Sequence, residues 1–138
     1  MVLLYPLYDS VQLVYYLKHD TRVEAVQWVQ KSKDRVMVEN YVFLYKLINS
    51  ITEKEIEHWQ AGGFKYLVAS SFEYERYLYG ATLKNQDAII YETAKKYERF
   101  FTEYPYREIA PKYRTFAFSN PTIRIIDIRP EFRKIIIK

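Results

Sequence analysis

The sequence predicts an α/β fold, a Rossmann-like three-layer domain with helices on both faces of a mixed sheet of at least four strands. Three observations lead to this prediction. Short β-branched runs alternate with segments in which apolar residues recur at helical spacing. Pairs of hydroxyl and carboxylate residues, three positions apart, mark helix starts. The 138 residues, of which 49% are hydrophobic and 18% aromatic, are enough for one domain with a sizeable core.

The first predicted helix follows Thr21, which forms a capping pair with Glu24. Val23, Val26 and Val29 then recur at helical spacing over roughly ten residues. The pattern predicts an amphipathic helix.

Two short apolar runs, Val36–Glu39 and Tyr66–Ser70, predict strands that are buried on both faces. Between them a second capping pair, Thr52 with Glu55, predicts the start of a helix over residues 53–60. A strand, helix and strand in this order form a right-handed crossover, so we expect the two strands to be parallel neighbours.

Two successive helices are predicted after the second strand. A third capping pair, Ser70 with Glu73, marks the start of a helix over residues 72–79, and a further helix is predicted from Asn85. Together they are expected to cover one face of the sheet.

The last two strands are predicted over residues 97–104 and 122–128. Pro105, Pro111 and Pro121 indicate an irregular loop between them. Because no crossover helix is predicted there, we expect this pair of strands to be antiparallel.

The charge pattern argues against specific nucleic-acid binding. The 21 basic residues give a net charge of +4, but they are interleaved with 17 acidic ones, so any binding should be weak and sensitive to salt. The chain has no cysteine and only three glycines, a composition typical of proteins that work at high temperature. We expect a tyrosine-rich domain over residues 20–130, with a basic tail over residues 131–138.

Residues 1–19 form an apolar and aromatic segment that we expect to pack on the domain. Pro6 and Asp9 interrupt it before it could reach the roughly 20 apolar residues of a membrane span. It also lacks the charged start and the small-residue cleavage site of a signal peptide. As written, the chain is expected neither to span a membrane nor to direct its own export.

No motif predicts a catalytic residue, a cofactor or a metal site. Residues 39–43, after the first strand, contain none of the glycines that dinucleotide binding requires. His19 and His58 lack partners at metal-ligand spacing, and Ser71 lacks the glycines of a nucleophile elbow. Whether the chain is an enzyme is left open by its sequence.

A candidate ligand site lies where the two parallel strands end, because open α/β sheets bind ligands in the crevice beyond their carboxyl ends. Tyrosine rings and an arginine fork suit a sugar, a phosphate or a peptide. The alternative is that the tyrosines are a packing stripe and that the arginine pairs with Glu73 or Glu75. The candidate residues are Glu39, Asn40, Tyr41, Ser71, Tyr74, Arg76 and Tyr77.

The order and spacing of several segments resemble the soluble C-terminal domain of polytopic membrane glycosyltransferases. This group includes dolichyl-phosphate-mannose protein mannosyltransferases and aminoarabinose transferases. The likeness extends over about residues 20–128, most of the chain. The segments that carry it are Asp20-Thr21-Arg22 with Ala25 and Trp28-Val29, Val36 to Tyr41, Tyr66 to Ser71 with Tyr74, Arg76 and Tyr77, and Asn120 to Ile125.

The resemblance implies an enzyme that takes sugar from a polyprenyl phosphate at the extracytoplasmic face of the membrane. Its acidic catalytic residues would lie in loops between transmembrane helices, which this sequence does not contain. The implied function is therefore a non-catalytic accessory domain. Its partner would be the membrane-embedded portion, covalent or separate, with a possible glycan or peptide acceptor. The alternatives are a stand-alone binding module for nucleic acid or peptide, and a small enzyme that uses the crevice.

Overall fold

A four-stranded mixed sheet forms the centre of the chain. The computed structural model describes residues 8, 10–11, 14–15, 18–42, 50–82, 87–112 and 120–134. The strands lie in the order β1-β2-β4-β3, with β1 parallel to β2 and both other pairs antiparallel. Their bounds are Val36–Val38 (β1), Tyr66–Ser70 (β2), Tyr106–Ile109 (β3) and Ile123–Asp127 (β4). The predicted parallel neighbours are thus confirmed. The last two strands are antiparallel as expected, but the first of them is Tyr106–Ile109 and not the predicted segment 97–104.

Helices cover both faces of this sheet, which confirms the predicted three-layer α/β architecture. The α-helices are Thr21–Lys31 (α1), Ile56–Ala61 (α2), Ser71–Gly80 (α3) and Ala88–Glu103 (α4). Short 3-10 helices at Asn40–Val42, Ile51–Glu53 and Pro130–Phe132 connect or follow them.

Alternation along the strands divides the core into two halves. Val68 and Ile125 point towards α1 and contact the half that includes Ala25. Leu67 and Ile126 point to the opposite face, where α2, α3 and α4 pack. Successive side chains of a strand point to opposite faces, so one buried strand contributes to both halves.

The second half of the core is rich in aromatic rings. Tyr97 lies at its centre, with ring centroids 6.2 Å from Tyr74, 6.1 Å from Tyr77 and 6.1 Å from Phe101. Since α3 and α4 supply all of these rings, aromatic packing is what joins the two helices.

The strand predicted over residues 97–104 is wrong, because this segment belongs to α4. Ala94, Tyr97 and Phe100 are buried at helical spacing, and the helix continues to Glu103. Asp87 caps its start, with Oδ1 accepting a hydrogen bond from the Ile89 N–H at 2.9 Å. The predicted start at Asn85 lies outside the described residues.

Two of the predicted caps also differ from the structure. Asp20 caps α1, because its carboxylate accepts from the Arg22 N–H at 2.8 Å. Thr21 Oγ1 donates instead to Asn120 Oδ1 at 2.6 Å, a contact across 99 residues that local spacing could not indicate.

The second helix start was also misplaced. Ser50 caps the 3-10 helix Ile51–Glu53, while α2 begins only at Ile56 and has Glu55 as a cap without a side-chain hydrogen bond. Thr52 is not a cap because it lies within that 3-10 helix, where its N–H donates to the Ser50 hydroxyl at 3.2 Å.

Candidate functional site

Glu39 occupies the position directly after β1, at the carboxyl end of the parallel pair, and its side chain is fully buried. Its Oε2 accepts a hydrogen bond from the Ser70 N–H at 3.0 Å. Its Oε1 accepts from the Ile51 N–H at 3.1 Å, from Ser50 Oγ at 3.3 Å and from the Tyr97 hydroxyl. One carboxylate thereby ties β1 to the end of β2, to a 3-10 helix and to α4. We call Glu39, Ser50 and Tyr97 with these backbone donors the carboxylate hub.

The hub holds a carboxyl group that titrates near neutral pH. Burial raises the pKa of Glu39 from 4.5 to about 7, and the hydrogen bonds from Tyr97, Ser70 and Ile51 only partly offset this effect. The nearby Glu73 carboxylate adds to the rise. The pKa of Tyr97 is raised as well, first by its burial and then by the charge of Glu39.

The polar atoms of the carboxylate hub are already hydrogen-bonded within the protein and are not available to a ligand. Among the side chains that the structure describes, none leaves a buried nitrogen or oxygen without a hydrogen-bond partner. Ser50 Oγ lies 2.8 Å from the Tyr97 hydroxyl and 2.6 Å from Thr52 Oγ1, which extends the network by rotatable hydroxyls. Such groups can rearrange to share a proton. The arrangement can hold a proton internally, but it exposes no lone pair to a substrate.

Glu73 and Arg76 form an ion pair on the first turns of α3, with 2.9 Å between Oε1 and Nη2. The same Nη2 donates to the Tyr77 hydroxyl at 2.8 Å. Burial raises the pKa of the Glu73 carboxyl, and the charge of Arg76 opposes that rise. This is the pairing of Arg76 with Glu73 that the sequence left open as an alternative, although only Arg76 lies at the surface: its side chain is 60% exposed and that of Glu73 is 6% exposed.

Two aromatic rings are exposed next to this ion pair. Tyr41 is 47% and Phe72 37% exposed, and their rings meet edge to face with centroids 6.2 Å apart. The hydrogen bond with Tyr77 is the main cause that raises the pKa of Arg76, and Tyr41 lies near enough to add to the rise. Asn40 begins the 3-10 helix that presents Tyr41. This strand-end surface therefore offers ring faces and a guanidinium to solvent.

Ser71 and Tyr74, by contrast, do not face that surface. The Ser71 N–H donates to the Thr122 carbonyl at 2.8 Å, and its hydroxyl accepts from the Thr122 N–H at 3.1 Å. Tyr74 is only 3% exposed, and burial raises the pKa of its hydroxyl to about 12. Its ring instead lies 5.1 Å from that of Phe101.

The structure thus brings Glu39, Tyr41, Arg76 and Tyr77 to one end of the sheet, while Ser71 and Tyr74 serve packing. That these residues bind a ligand stays a prediction.

Sequence reasoning missed Ser50 and Tyr97, which complete the hub. The helical spacing of Ile90, Ala94 and Tyr97 predicts that Tyr97 lies on one side of the helix that starts at Asn85, but it does not indicate that the hydroxyl reaches Glu39. No local signal marks Ser50 as a partner of a residue eleven positions earlier.

A second notable feature is an exposed apolar stripe near the N-terminus. Tyr8, Val11, Val14 and Tyr15 are helical, and their exposed fractions are 60%, 61%, 53% and 45%. Lys18 follows on the next turn and is also exposed. We call the four apolar residues the N-terminal stripe. Their spacing of three and four positions places them along one side of a helix.

Among the described residues, no cluster of three or more His, Asp or Glu side chains is placed to hold a metal ion. Within the same part of the chain, no helix combines the length and the hydrophobicity that crossing a bilayer requires.

The chain matches no protein-family model, no curated protein and no solved structure.

Proposed function

We propose that this chain is a non-catalytic accessory domain of a membrane glycosyltransferase that uses a polyprenyl-phosphate sugar donor. It would lie at the extracytoplasmic face of the membrane, beside the membrane-embedded portion of the enzyme. The sugar chemistry in this proposal comes from the sequence resemblance. The observation that supports a position of this domain at the membrane is the N-terminal stripe.

The stripe suits an interfacial position better than free exposure to water. Val11 and Val14 leave more than half of their surface in solvent, although hydrophobic burial is the main favourable term in folding. Tyr8 and Tyr15 flank them, and tyrosine favours the headgroup level of a bilayer because its ring is apolar and its hydroxyl is polar. Lys18, one turn further on, can reach lipid phosphates. Together these residues form an apolar strip with a cationic end, as interfacial helices do.

The surroundings of Glu39 and Glu73, the two acidic residues at the strand ends, support a non-catalytic role. General acid–base catalysis needs a carboxyl group within hydrogen-bond reach of a substrate. Glu39 is instead enclosed by four protein donors, and Glu73 is paired with Arg76. Catalysis would therefore come from the membrane-embedded portion.

Flotation with lipid vesicles tests the membrane placement. We expect the purified chain to float with vesicles of phosphatidylcholine and phosphatidylglycerol in a density gradient. The double variant Val11→Asp/Val14→Asp should stay in the dense fraction, because each buried carboxylate would cost more than the apolar contact gains. Circular dichroism should show that the variant is still folded, since both side chains are exposed.

Val23→Asp is the matched control. Val23 is 42% exposed on α1, outside the stripe, so this variant should float like the unchanged chain. If the unchanged chain fails to float, or if all three proteins float equally, the stripe does not place the domain at a membrane.

A further inference from the structure

A groove lined by aromatic residues opens on the face of the sheet that α1 covers. A helix is about 10 Å wide and neighbouring strands are about 4.8 Å apart, so one helix covers about two strands. Among the described elements α1 is the helix on this face, and the sheet has four strands. Part of β3 and β4 beyond the end of α1 is therefore left open. The resulting cavity measures about 220 Å³.

Rigid ring faces line this cavity. The Trp28 and Tyr66 rings lie edge to face with centroids 5.1 Å apart, one carried by α1 and the other by β2. Ile125 and Pro105 also line the cavity. Because a helix and a strand hold the two rings, the apolar walls are set in place before any ligand arrives.

Two acid–guanidinium pairs lie at the polar margin. Asp127 is held by Arg129 in a bidentate pair, with Oδ1 to Nε at 2.9 Å and Oδ2 to Nη2 at 2.5 Å. Arg107, which also lines the cavity, pairs with Glu24 of α1 at 3.0 Å. Each pair is neutral overall. The margin therefore carries no net charge, and Arg107 and Asp127 are the charged side chains among an otherwise mostly apolar lining.

These features select one class of ligand. A pyranose ring is uncharged, presents a face of C–H groups to aromatic rings, and carries hydroxyls at its edge that both donate and accept hydrogen bonds. Ligand sites commonly combine aromatic walls with a few fixed polar groups in this way. The cavity is smaller than the roughly 300 Å³ at which sites for drug-sized ligands begin, so it would hold a single ring.

We infer that the groove between Trp28, Tyr66 and Asp127 binds one neutral pyranose unit of a glycan. The inference stands on the groove alone and does not depend on attachment to a membrane enzyme. It concerns a different part of the molecule from the strand-end surface around Tyr41 and Arg76. A failure of vesicle flotation would leave it intact, and failure of the sugar test below would leave the membrane placement intact.

Tryptophan fluorescence can test the groove because the chain has only two tryptophans. Trp59 is 3% exposed on the opposite face of the sheet, so the Trp59→Phe variant leaves Trp28 as the only reporter. We would titrate this variant with the methyl glycosides of glucose, galactose and mannose. At least one should change the Trp28 emission with a Kd of about 1 mM, the affinity that a ligand of this size typically reaches. Should Trp59→Phe not fold, saturation-transfer NMR of the unchanged chain with the same glycosides gives the same answer.

The Asp127→Asn variant should weaken glycoside binding about tenfold, because it breaks the bidentate pair that fixes the polar margin. Asp34→Asn is the matched control. Asp34 forms an ion pair with Lys65 at 2.7 Å and does not line the cavity, so binding should be unchanged. The inference is overturned if none of the glycosides changes the Trp28 emission in a saturable way, even at concentrations well above 1 mM. It is also overturned if a proline-rich peptide binds and the glycosides do not.

Discussion

Replacing Glu39 by Gln should remove a pH dependence of folding that the carboxylate hub creates. Burial raises the pKa of Glu39 from 4.5 to about 7 in the folded chain. Between these values the folded state binds more protons than the unfolded state, so stability must fall as pH rises. The contribution of protonated Glu39 is complete below pH 4.5 and is lost as pH rises through 7. A pKa difference of about 2.5 between the two states corresponds to about 3 kcal/mol.

The amide that Glu39→Gln introduces cannot reproduce both oxygens of the carboxyl group. Oε1 accepts from the Ile51 N–H and Oε2 from the Ser70 N–H, and an amide has a single oxygen. One backbone donor would lose its acceptor, at a cost of about 1–3 kcal/mol that does not vary with pH. We therefore expect Glu39→Gln to be less stable than the unchanged chain at pH 5. The gap should narrow or reverse by pH 8.

Urea denaturation followed by circular dichroism from pH 4.5 to 8.5 measures both proteins under the same conditions. Other groups titrate in this window, but they are common to the two chains and cancel in the difference. The pKa of Glu73 is also raised by burial, so Glu73→Gln tests how much of the pH dependence comes from that group. It keeps the Glu39 carboxyl and removes only the smallest cause of its raised pKa, so most of the pH dependence should remain. Parallel stability curves for the unchanged chain and Glu39→Gln would refute the reasoning. They would mean that the four hydrogen-bond donors outweigh burial and keep Glu39 ionised.

Three further substitutions test separate parts of the structure by the same urea measurement. Arg76→Ala should cost about 1–3 kcal/mol, because it leaves the buried Glu73 carboxylate without its cation, and a loss below about 0.5 kcal/mol would contradict this. Gly63→Ala should cost about 1–2 kcal/mol, because its φ of 76° is unfavourable for an L-residue; an unchanged midpoint would contradict this. Thr21→Val should cost about 1–3 kcal/mol through the lost hydroxyl hydrogen bonds to Asn120 and Pro121. Adding Asn120→Ala should cost more again, because the Thr21 N–H also donates to Asn120 Oδ1 at 3.0 Å, and a double variant as stable as Thr21→Val would contradict this.

The sheet could be predicted from the sequence largely because its strands differ in pattern from the helices. Val36–Val38 and Tyr66–Ser70 are short apolar runs between helix signals, which is the pattern of buried parallel strands. Ser70 was identified correctly as the cap of α3, since a cap involves residues two or three positions apart.

The errors came from aromatic residues and from contacts between distant parts of the chain. Tyr97 and Phe100 have high strand propensity, yet both are buried on the inner side of a helix, where Tyr97 packs against Tyr74 and Tyr77 of α3. The cap of α1 is Asp20, which accepts from the Arg22 N–H, while the Thr21 hydroxyl donates to Asn120.

The candidate site was only partly predictable for a related reason. Because ligands bind beyond the carboxyl ends of parallel strands, the sequence predicted Glu39 and Arg76 at the same end of the sheet, where the structure places them. It could not tell that Glu39 points inwards, because its hydrogen-bond partners lie 11, 12, 31 and 58 positions away. A carboxylate in a candidate crevice can be a ligand contact or a structural hub, and only its partners decide between them.

A sugar-transfer assay tests most directly the claim that the chain is a non-catalytic accessory domain. The purified chain would be incubated with a radiolabelled polyprenyl-phosphate sugar and a peptide acceptor rich in serine and threonine, and labelled peptide would be counted. We predict no product above the rate without protein, because Glu39 is enclosed and Glu73 is paired with Arg76. Steady turnover that disappears in Glu39→Gln or Glu73→Gln would contradict the account and make the chain an enzyme.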